Sequence, residues 1–312
     1  MDIYTLTCNP SQDFYLEVIQ IVPEDINRSR AARRDLGGKG INVSRGLKSL
    51  GSRTRALGLA AGDTGRWILN QLKREGIPGR FFRAEGENRV ILNIREGRTG
   101  RIYRFNEPGP RLDRKRLRAF WNFVCDNSCP RGSFFAVCGS APPGFPADFY
   151  GRLITRLKER GIRTLLDCDH RLLAAGTQAG PEILKVNLFE LARLTGTRHP
   201  AGQAEVIRGV RRLLGCGIKN VVVTLGAEGA LALDEKDGWW ARPPRVKARS
   251  TIGAGDALSA GLLHGLSESK GWAEALRLGV AAGTAAVRYP GTTFANPEEI
   301  RRLLRRVKIQ PV

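Results

Sequence analysis

The chain has 312 residues, of which 42% are hydrophobic and 37 are glycine. These values exclude a fibrous or intrinsically disordered protein and predict one large core with many tight turns. The 51 Lys and Arg residues exceed the 30 Asp and Glu residues, and the formal net charge is +21. Such a charge predicts an anionic partner, a class that includes nucleic acid, acidic membranes and phosphorylated metabolites.

The basic residues are dispersed along the chain in short runs, the last of which contains Arg301, Arg302, Arg305 and Arg306. No zinc-finger spacing, aromatic-basic signature of RNA binding or basic zipper organises these runs. We therefore interpret most of these side chains as a solvated surface, and we do not expect nucleic acid as a partner.

Six cysteines lie far apart and form no CxxC pair, which predicts free thiols in a reducing compartment. The first residues lack the basic and apolar regions of a secretory signal, and no stretch approaches the roughly 20 apolar residues of a membrane span. We expect a soluble, cytoplasmic protein without a membrane partner.

Strands and helices are predicted to alternate along most of the chain. Strands are predicted at residues 3–7, 57–61, 134–138, 164–167, 182–186 and 220–224, and helices at residues 40–50, 147–160 and 202–215. A final helix is predicted after Asn296, because an Asn cap followed by Pro297 and Glu299 is a helix-start signature. This alternation predicts an α/β fold with a mostly parallel sheet flanked by helices, whose strands bind ligands at their carboxyl edge.

Two β segments interrupt this alternation. Residues 14–22 favour a strand, and residues 90–94 and 102–105 flank a glycine-containing turn that is typical of a hairpin. We predict a single α/β domain over residues 1–312, with β segments inserted at residues 12–34 and 81–106. Together the two segments would form a small sheet that acts as a lid over the ligand edge.

The segment from Gly253 to Asp256 precedes an apolar helical pattern and places a glycine-rich turn and one carboxylate at the start of a helix. The free amides of Gly253, Ala254 and Gly255 would attract an anion, which is typical of a helix N-terminus. Asp256 suits the role of a general base that takes a proton from a hydroxyl attacking a phosphate. The alternative is an aspartate that only stabilises the helix dipole.

Several motifs resemble those of the ribokinase-like (pfkB) carbohydrate kinases, in order and over nearly the whole chain. They are CNPSQD, GGKGINVSRGL, GDTG, FNEPGP, GSAPPG, KVNLFEL, TLGAEGAL and STIGAGDALSAG. Their form is most similar to the branch that contains 1-phosphofructokinases, tagatose-6-phosphate kinases and the minor 6-phosphofructokinases. Neither a Walker A motif nor a GxGxxG fingerprint is present, which disfavours a P-loop or dinucleotide-binding protein.

This resemblance implies a ribokinase-like Rossmann-type sandwich and a role for each matching residue. Asp256 would be the base, with Gly253, Ala254 and Gly255 as the anion hole. Sugar-phosphate contacts are implied for Asp13, Arg28, Gly38, Lys39, Asn42, Arg89 and Ser140. Nucleotide contacts are implied for Lys185, Asn187, Thr224, Gly226, Gly229 and Gly283. Asn187 and Glu190 would organise Mg²⁺ through water.

The resemblance implies an ATP-dependent kinase that converts fructose 1-phosphate to fructose 1,6-bisphosphate and forms a homodimer through its lid. Tagatose 6-phosphate and fructose 6-phosphate are alternative acceptors, followed by an unphosphorylated sugar or a nucleoside. A non-catalytic regulatory or nucleic-acid-binding protein on the kinase fold is the alternative of another class. The sequence departs from the branch mainly on the sugar side, at residues 88–91 and 166–170.

Overall fold

The computed structural model describes residues 1–126, 129–168, 170–197, 200 and 202–312. The strands are β1 (Ile3–Thr7), β2 (Ser11–Val18), β3 (Ala31–Gly37), β4 (Thr54–Ala61), β5 (Gly79–Ala84), β6 (Arg89–Glu96), β7 (Ile102–Asn106), β8 (Phe134–Cys138), β9 (Arg163–Asp167), β10 (Ile183–Asn187), β11 (Asn220–Thr224), β12 (Ala230–Leu233), β13 (Gly238–Arg242) and β14 (Lys308–Pro311). The helices are α1 (Lys39–Ser49), α2 (Gly62–Arg74), α3 (Arg114–Cys125), α4 (Phe149–Glu159), α5 (His170–Gln178), α6 (Leu188–Thr195), α7 (Gln203–Leu214), α8 (Ala254–Ser267), α9 (Trp272–Ala286) and α10 (Pro297–Leu304).

Ten strands form one large sheet in the order β14-β13-β12-β11-β10-β9-β8-β1-β4-β5. The seven strands from β11 to β5 are parallel, and the three at the other edge pair antiparallel. The chain moves outward from β1 in one direction and from β8 in the other, which makes the β1/β8 junction a topological switch point. Ligands bind at such junctions, and the predicted, mostly parallel sheet is confirmed.

Helices cover both faces of the large sheet, so its central strands are buried on both sides and read as continuous apolar runs. One face carries α3, α4 and α7 over a core that includes Phe120 and Leu153. The other carries α1, α8 and α9 over a core that includes Leu47 and Leu262. None of the described helices combines the length and apolar character that crossing a bilayer requires. All six cysteines are free thiols, as predicted.

A separate four-stranded sheet has the order β3-β2-β6-β7. It contains the predicted hairpin, in which β6 and β7 pair antiparallel. Residues 79–84, part of which was predicted to belong to the lid segment, form β5 and pair with β4 in the large sheet. The reason is packing, because Phe82 contacts Phe120 and Phe123 of α3. Residues 8–10 alone join β1 of the large sheet to β2 of the small sheet.

Glycines allow α8 and α9 to pack in close contact. A Cβ on Gly261 would lie 2.8 Å from the Leu278 carbonyl oxygen and 2.8 Å from the Cα of Gly279. At the start of α8, a Cβ on Gly283 would lie 3.0 Å from the Ala254 carbonyl oxygen. The position of the α8 N-terminus is therefore fixed by backbone contact with α9.

Replacing Gly261 with Ala should lower the free energy of unfolding by about 1–3 kcal/mol, because the added methyl group forces the two helices apart. Chemical denaturation measures this change. The control is Gly215→Ala, at an exposed position with a helical φ of −59° and only ordinary contacts. It should leave the protein equally stable or slightly more stable. Equal loss in both variants would contradict the packing argument.

Candidate active site

The N-terminus of α8 forms the centre of the site. Gly253 caps the helix with a φ of 79°, a left-handed conformation that favours glycine. Its carbonyl oxygen accepts the amide of Ala257 at 2.9 Å, so the helix proper begins there. The amides of Gly255 and Asp256 lie in the first turn, where helix geometry supplies no carbonyl partner. These amides and the helix dipole make the start of α8 a site that favours anions.

Asp256 is the third residue of α8, and only 7% of it is exposed. Its carboxylate accepts a hydrogen bond of 2.8 Å from the Nδ2 of Asn42 on α1. Burial raises the pKa of Asp256 to about 6, and the negative charge of Asp167 adds to this rise. Lys39, Lys185 and the Asn42 hydrogen bond oppose it. The carboxylate can therefore gain and lose a proton near neutral pH, which suits a general base.

Asp167, at the carboxyl end of β9, is fully buried and links two lysines. Its Oδ1 lies 2.9 Å from the Nζ of Lys39 and its Oδ2 lies 2.7 Å from the Nζ of Lys185. Burial acts to raise the pKa of Asp167, but the two ammonium groups outweigh it and lower the pKa to about 2. The Oγ of Ser259, one turn into α8, lies 3.4 Å from Oδ2. Asp167 is therefore a permanently charged group that holds both lysines at the site.

The ends of several strands meet at this cluster. Lys39 begins α1 directly after β3, and a Cβ on Gly40 would lie 2.5 Å from the Leu6 carbonyl oxygen of β1, so α1 begins against the end of that strand. Gly139, which follows β8, lies against the side chain of Lys39. Lys185 of β10 reaches α8, since its Nζ lies 2.9 Å from the position of a Cβ on Gly255. The predicted meeting of strand ends at one edge is thus present.

The predicted sugar-binding residues of the small sheet lie beside this edge. Asp13 is buried, accepts a hydrogen bond of 2.6 Å from the Ser11 hydroxyl and packs against Gly37. Burial raises the pKa of Asp13, whereas Ser11 and the nearby charge of Arg89 lower it. The Arg89 Nε donates to the Asn9 carbonyl oxygen at 3.1 Å. Asp13, Arg89 and the glycine turn before α1 are therefore neighbours.

Arg28 is not brought to this group within a single chain. It is exposed in the segment between β2 and β3, at the end of β2 that is remote from Ser11 and Arg89. The seven residue steps from Ser11 to Val18 correspond to about 23 Å.

The predicted nucleotide-binding residues lie along the neighbouring strand ends. Asn187 caps α6 and accepts the Glu190 amide at 2.9 Å, while the Glu190 carboxylate accepts the Asn187 amide at 2.8 Å. This capping box fixes both side chains. Thr224 pairs in register with Asn187 across β10 and β11.

The three predicted nucleotide-binding glycines differ in their surroundings. Gly226 is open, because a Cβ placed on it would meet no atom within 4 Å, so a ligand can approach its backbone closely. Gly229 packs tightly against Ala241 of β13, and Gly283 packs against α8. The last two glycines therefore have a packing role in the chain itself.

Sequence analysis did not identify Asp167 as a site residue. It lies within residues 166–170, which were noted only because they differ from the family pattern. Its signal was an aspartate at the end of a strand in the middle of the parallel sheet. The adjacent Asp169 lies outside the described residues. Two further polar atoms, the Ser140 Oγ and the Asn42 Oδ1, are buried without a hydrogen-bond partner in the described part of the chain. Such atoms are expected where a ligand supplies the missing partner.

The two aspartates should have opposite effects on stability. Asp256→Asn should raise the free energy of unfolding at pH 7 by about 1–3 kcal/mol, because the folded protein no longer holds a buried carboxylate whose pKa is raised. This gain should fade as the pH falls from 6 to 4, since the wild-type carboxyl is then protonated. Asp167→Asn should instead lower stability by about 3 kcal/mol, because both lysines lose their partner.

Denaturation of the variants between pH 4 and pH 8 measures both effects. Asp63→Asn is the matched control, since Asp63 also lies in the first turn of a helix but is exposed. It should change stability by less than about 0.5 kcal/mol. A destabilised Asp256→Asn protein at pH 7 would contradict the raised pKa.

Comparison with known proteins agrees with this geometry. A family model described as pfkB family carbohydrate kinase matches residues 7–299. The chain is 32% identical to 1-phosphofructokinase of Bacillus subtilis (strain 168), over 98% of this chain and 99% of that protein. It is 33% identical to ATP-dependent 6-phosphofructokinase isozyme 2 of Escherichia coli (strain K12), over 96% and 97% of the two chains.

Solved structures give the same result for the fold. Phosphofructokinase-2 from Escherichia coli, in complex with substrates and products, matches with a TM-score of 0.91 at 32% identity, over 98% of this chain and 99% of that chain. The ribokinase-like α/β fold with a small additional sheet is therefore confirmed. The chain belongs to the pfkB family of carbohydrate kinases.

Proposed function

We propose that this enzyme transfers the γ-phosphoryl group of ATP to fructose 1-phosphate and forms fructose 1,6-bisphosphate and ADP. The main observation behind the proposal is the buried Asp256. Its carboxyl group has a pKa of about 6 and lies at a helix N-terminus near two lysines, so a base lies next to an anion site. The acceptor follows from the relatives, since 1-phosphofructokinase is the name of the Bacillus subtilis protein and of a second relative from Escherichia coli (strain K12).

Asp256 acts as the general base. Its carboxylate takes the proton from the acceptor hydroxyl, the oxygen forms a bond to the γ-phosphorus, and the bond between that phosphorus and the β,γ-bridging oxygen breaks to release ADP. The hydrogen bond from Asn42 orients the carboxylate. The amides of Gly253 and Gly255 stabilise the charge on the transferred group, whereas the Ala254 amide donates to the Thr251 carbonyl oxygen at 3.4 Å.

Lys39 and Lys185 supply positive charge to the phosphates. Lys39 is 34% exposed and Lys185 is buried, so Lys39 can meet either the sugar phosphate or the transferred phosphate while Lys185 stays next to the start of α8. Asp167 keeps both ammonium groups in place, and its negative charge raises the pKa of Lys39 against the opposing effect of burial.

The sugar phosphate is proposed to bind between the small sheet and the start of α1. The Asp13 carboxylate and the unpaired Asn42 Oδ1 accept hydrogen bonds from the sugar hydroxyls, and the unpaired Ser140 Oγ can accept or donate one. Gly38 has a φ of 115°, and a Cβ on it would lie 2.7 Å from the Thr7 side chain, so glycine shapes the turn before α1. The guanidinium of Arg89 matches the oxygens of the substrate phosphate.

The nucleotide is proposed to lie along Lys185, Asn187, Thr224 and the open Gly226, with Gly229 and Gly283 shaping the adjoining turns. The residues fit a magnesium ion that is held mainly by nucleotide phosphates and water. The capping box uses one carboxylate oxygen of Glu190 and leaves the other for a bound water, and no cluster of three or more acidic, His or Cys ligands exists among the described residues. When bound, magnesium neutralises charge on the β- and γ-phosphates.

A homodimer that associates through the small sheets is proposed as the functional unit. Ile26, Ile102 and Phe105 are large apolar side chains that the small sheet and its connecting segment expose, and association with a second copy of the chain would remove such side chains from water. Arg28 is remote from Asp13 in its own chain, so its contact with the substrate phosphate would be made across this interface. A structure of Escherichia coli phosphofructokinase-2 is described as a tetrameric inhibited form.

Asp256→Asn should lower kcat by about 10²–10⁴-fold with little change in the KM for either substrate, because general base catalysis is removed. In the wild type, kcat/KM should fall as the pH drops below about 6, the pKa of Asp256, because only the ionised carboxylate accepts the proton. A coupled ADP assay measures both effects. Wild-type turnover by the Asn variant would exclude Asp256 as the base.

Arg89→Ala should raise the KM for fructose 1-phosphate at least about tenfold and leave the KM for ATP unchanged, because a charge-assisted contact to phosphate is lost. The same assay should be run with fructose 6-phosphate, tagatose 6-phosphate and free fructose as acceptors. Arg95→Ala is the control, since Arg95 lies at the opposite end of β6 and is exposed beside Glu17. Higher activity on a free sugar than on any sugar phosphate would contradict the proposed function.

A further inference from the structure

A cavity lies outside the catalytic cluster. It has a volume of about 540 Å³ and is lined by residues 245–247 and 249, by residues 288 and 289 after α9, and by α10 with the turn that follows it. A cavity of this size accommodates a small ligand. Its lining includes none of the residues that the proposed mechanism uses.

Basic side chains converge on this cavity from two walls. On one wall, Arg245, Lys247 and Arg249 alternate along an extended segment and are exposed, whereas Val246 between them packs against the core. On the other wall, Arg302 lies in the last turn of α10 and Arg306 lies in the turn that follows this helix. We call this cavity the basic groove.

The basic groove has little negative charge of its own. Glu299 is its one acidic lining residue, and that carboxylate already accepts hydrogen bonds from Arg288 and Tyr289. Within the described ranges, the five basic side chains of the two walls form no ion pair. Other arginines of the protein do, such as Arg45 with Glu75 at 2.7 Å. Concentrated charge of one sign destabilises a fold unless a counter-ion binds.

We propose that the basic groove binds a compact oligophosphate, meaning a ligand with two or more linked phosphate groups. Guanidinium forks on facing walls match the oxygens of adjacent phosphates, and the ammonium of Lys247 adds a point charge. The basic side chains surround one cavity and do not follow an extended track, which favours a compact anion over a nucleic acid strand. Val246 and Leu303 provide an apolar floor.

The backbone connects this groove to the start of α8. The amides of Arg249 and Ser250 donate to the Val287 carbonyl oxygen at 2.7 and 3.2 Å. Residues 251 and 252 then lead directly to Gly253. A ligand bound against residues 245–249 therefore lies next to the segment that leads to the start of α8, and the groove is placed to regulate the enzyme.

Calorimetric titration of inorganic tripolyphosphate into the full-length protein at about 150 mM salt tests the proposal. Arg302→Gln/Arg306→Gln should weaken binding in the groove at least about tenfold, because two charge-assisted contacts are lost. Arg301→Gln/Arg305→Gln is the matched control, since it removes the same charge from the same helix end but neither residue lines the cavity. The control should bind as the wild type does. The catalytic site is unchanged in all three proteins, so a difference in their affinity for tripolyphosphate arises from the groove.

Lys247→Gln/Arg249→Gln repeats the test from the opposite wall and should give a loss of similar size. Repeating the titrations with ATP distinguishes the source of the phosphates, since a larger loss for ATP than for tripolyphosphate assigns the groove to a nucleotide and an equal loss assigns it to an inorganic oligophosphate. Equal losses in the groove and control variants, or no loss in either, would overturn the proposal. So would a groove-dependent loss of affinity for a single-stranded oligonucleotide with unchanged tripolyphosphate binding.

Discussion

The contact of Asp167 with Lys39 and Lys185 is the interaction on which the rest of the site depends. Three elements that are distant in the sequence, the end of β9, the strand β10 and the start of α1, are joined by one buried carboxylate at 2.9 and 2.7 Å from its two lysines. Burial acts to lower the pKa of Lys39 and to raise the pKa of Asp167, and the opposite charges of the cluster outweigh burial in both cases. The cluster therefore presents the positive charge of its lysines to the start of α8 before any phosphate binds.

At Asp256, the same arrangement favours catalysis but lowers the stability of the folded protein. A base that works near neutral pH needs a raised pKa, and here burial and the charge of Asp167 raise it. Ionisation of this group in the folded protein therefore costs free energy, which the packing of α8 against α9 offsets. The close glycine contacts between these helices fix the backbone of α8, so the Asp256 carboxylate stays buried and does not turn toward solvent.

Sequence reasoning predicted much of the fold because the central strands are buried on both faces, and continuous apolar runs such as 134–138 and 220–224 identify them directly. The anion site at the start of α8 was predicted because its glycines and its carboxylate are adjacent in the chain. Asp167 was missed because its partners are 128 and 18 residues away, and no local pattern encodes such a contact. Residues 81–84 were assigned to the lid segment although they belong to β5 of the large sheet, since a half-buried strand carries no signal for which sheet it joins. The basic groove was likewise hidden, because its two walls belong to separate parts of the sequence.

The three residues between β1 and β2 have a mechanical consequence. A fully extended linker of this length spans only about 10 Å, and Asp13 is the third residue of the strand that follows it. Gly38 alone joins β3 to α1, and residues 85–88 and 107–113 make the other two connections of the small sheet. All four connections reach the small sheet at the end that carries Asp13 and Arg89. That end is therefore held beside the large sheet, whereas the remote end, next to the segment that carries Arg28, projects without a chain connection to the large sheet.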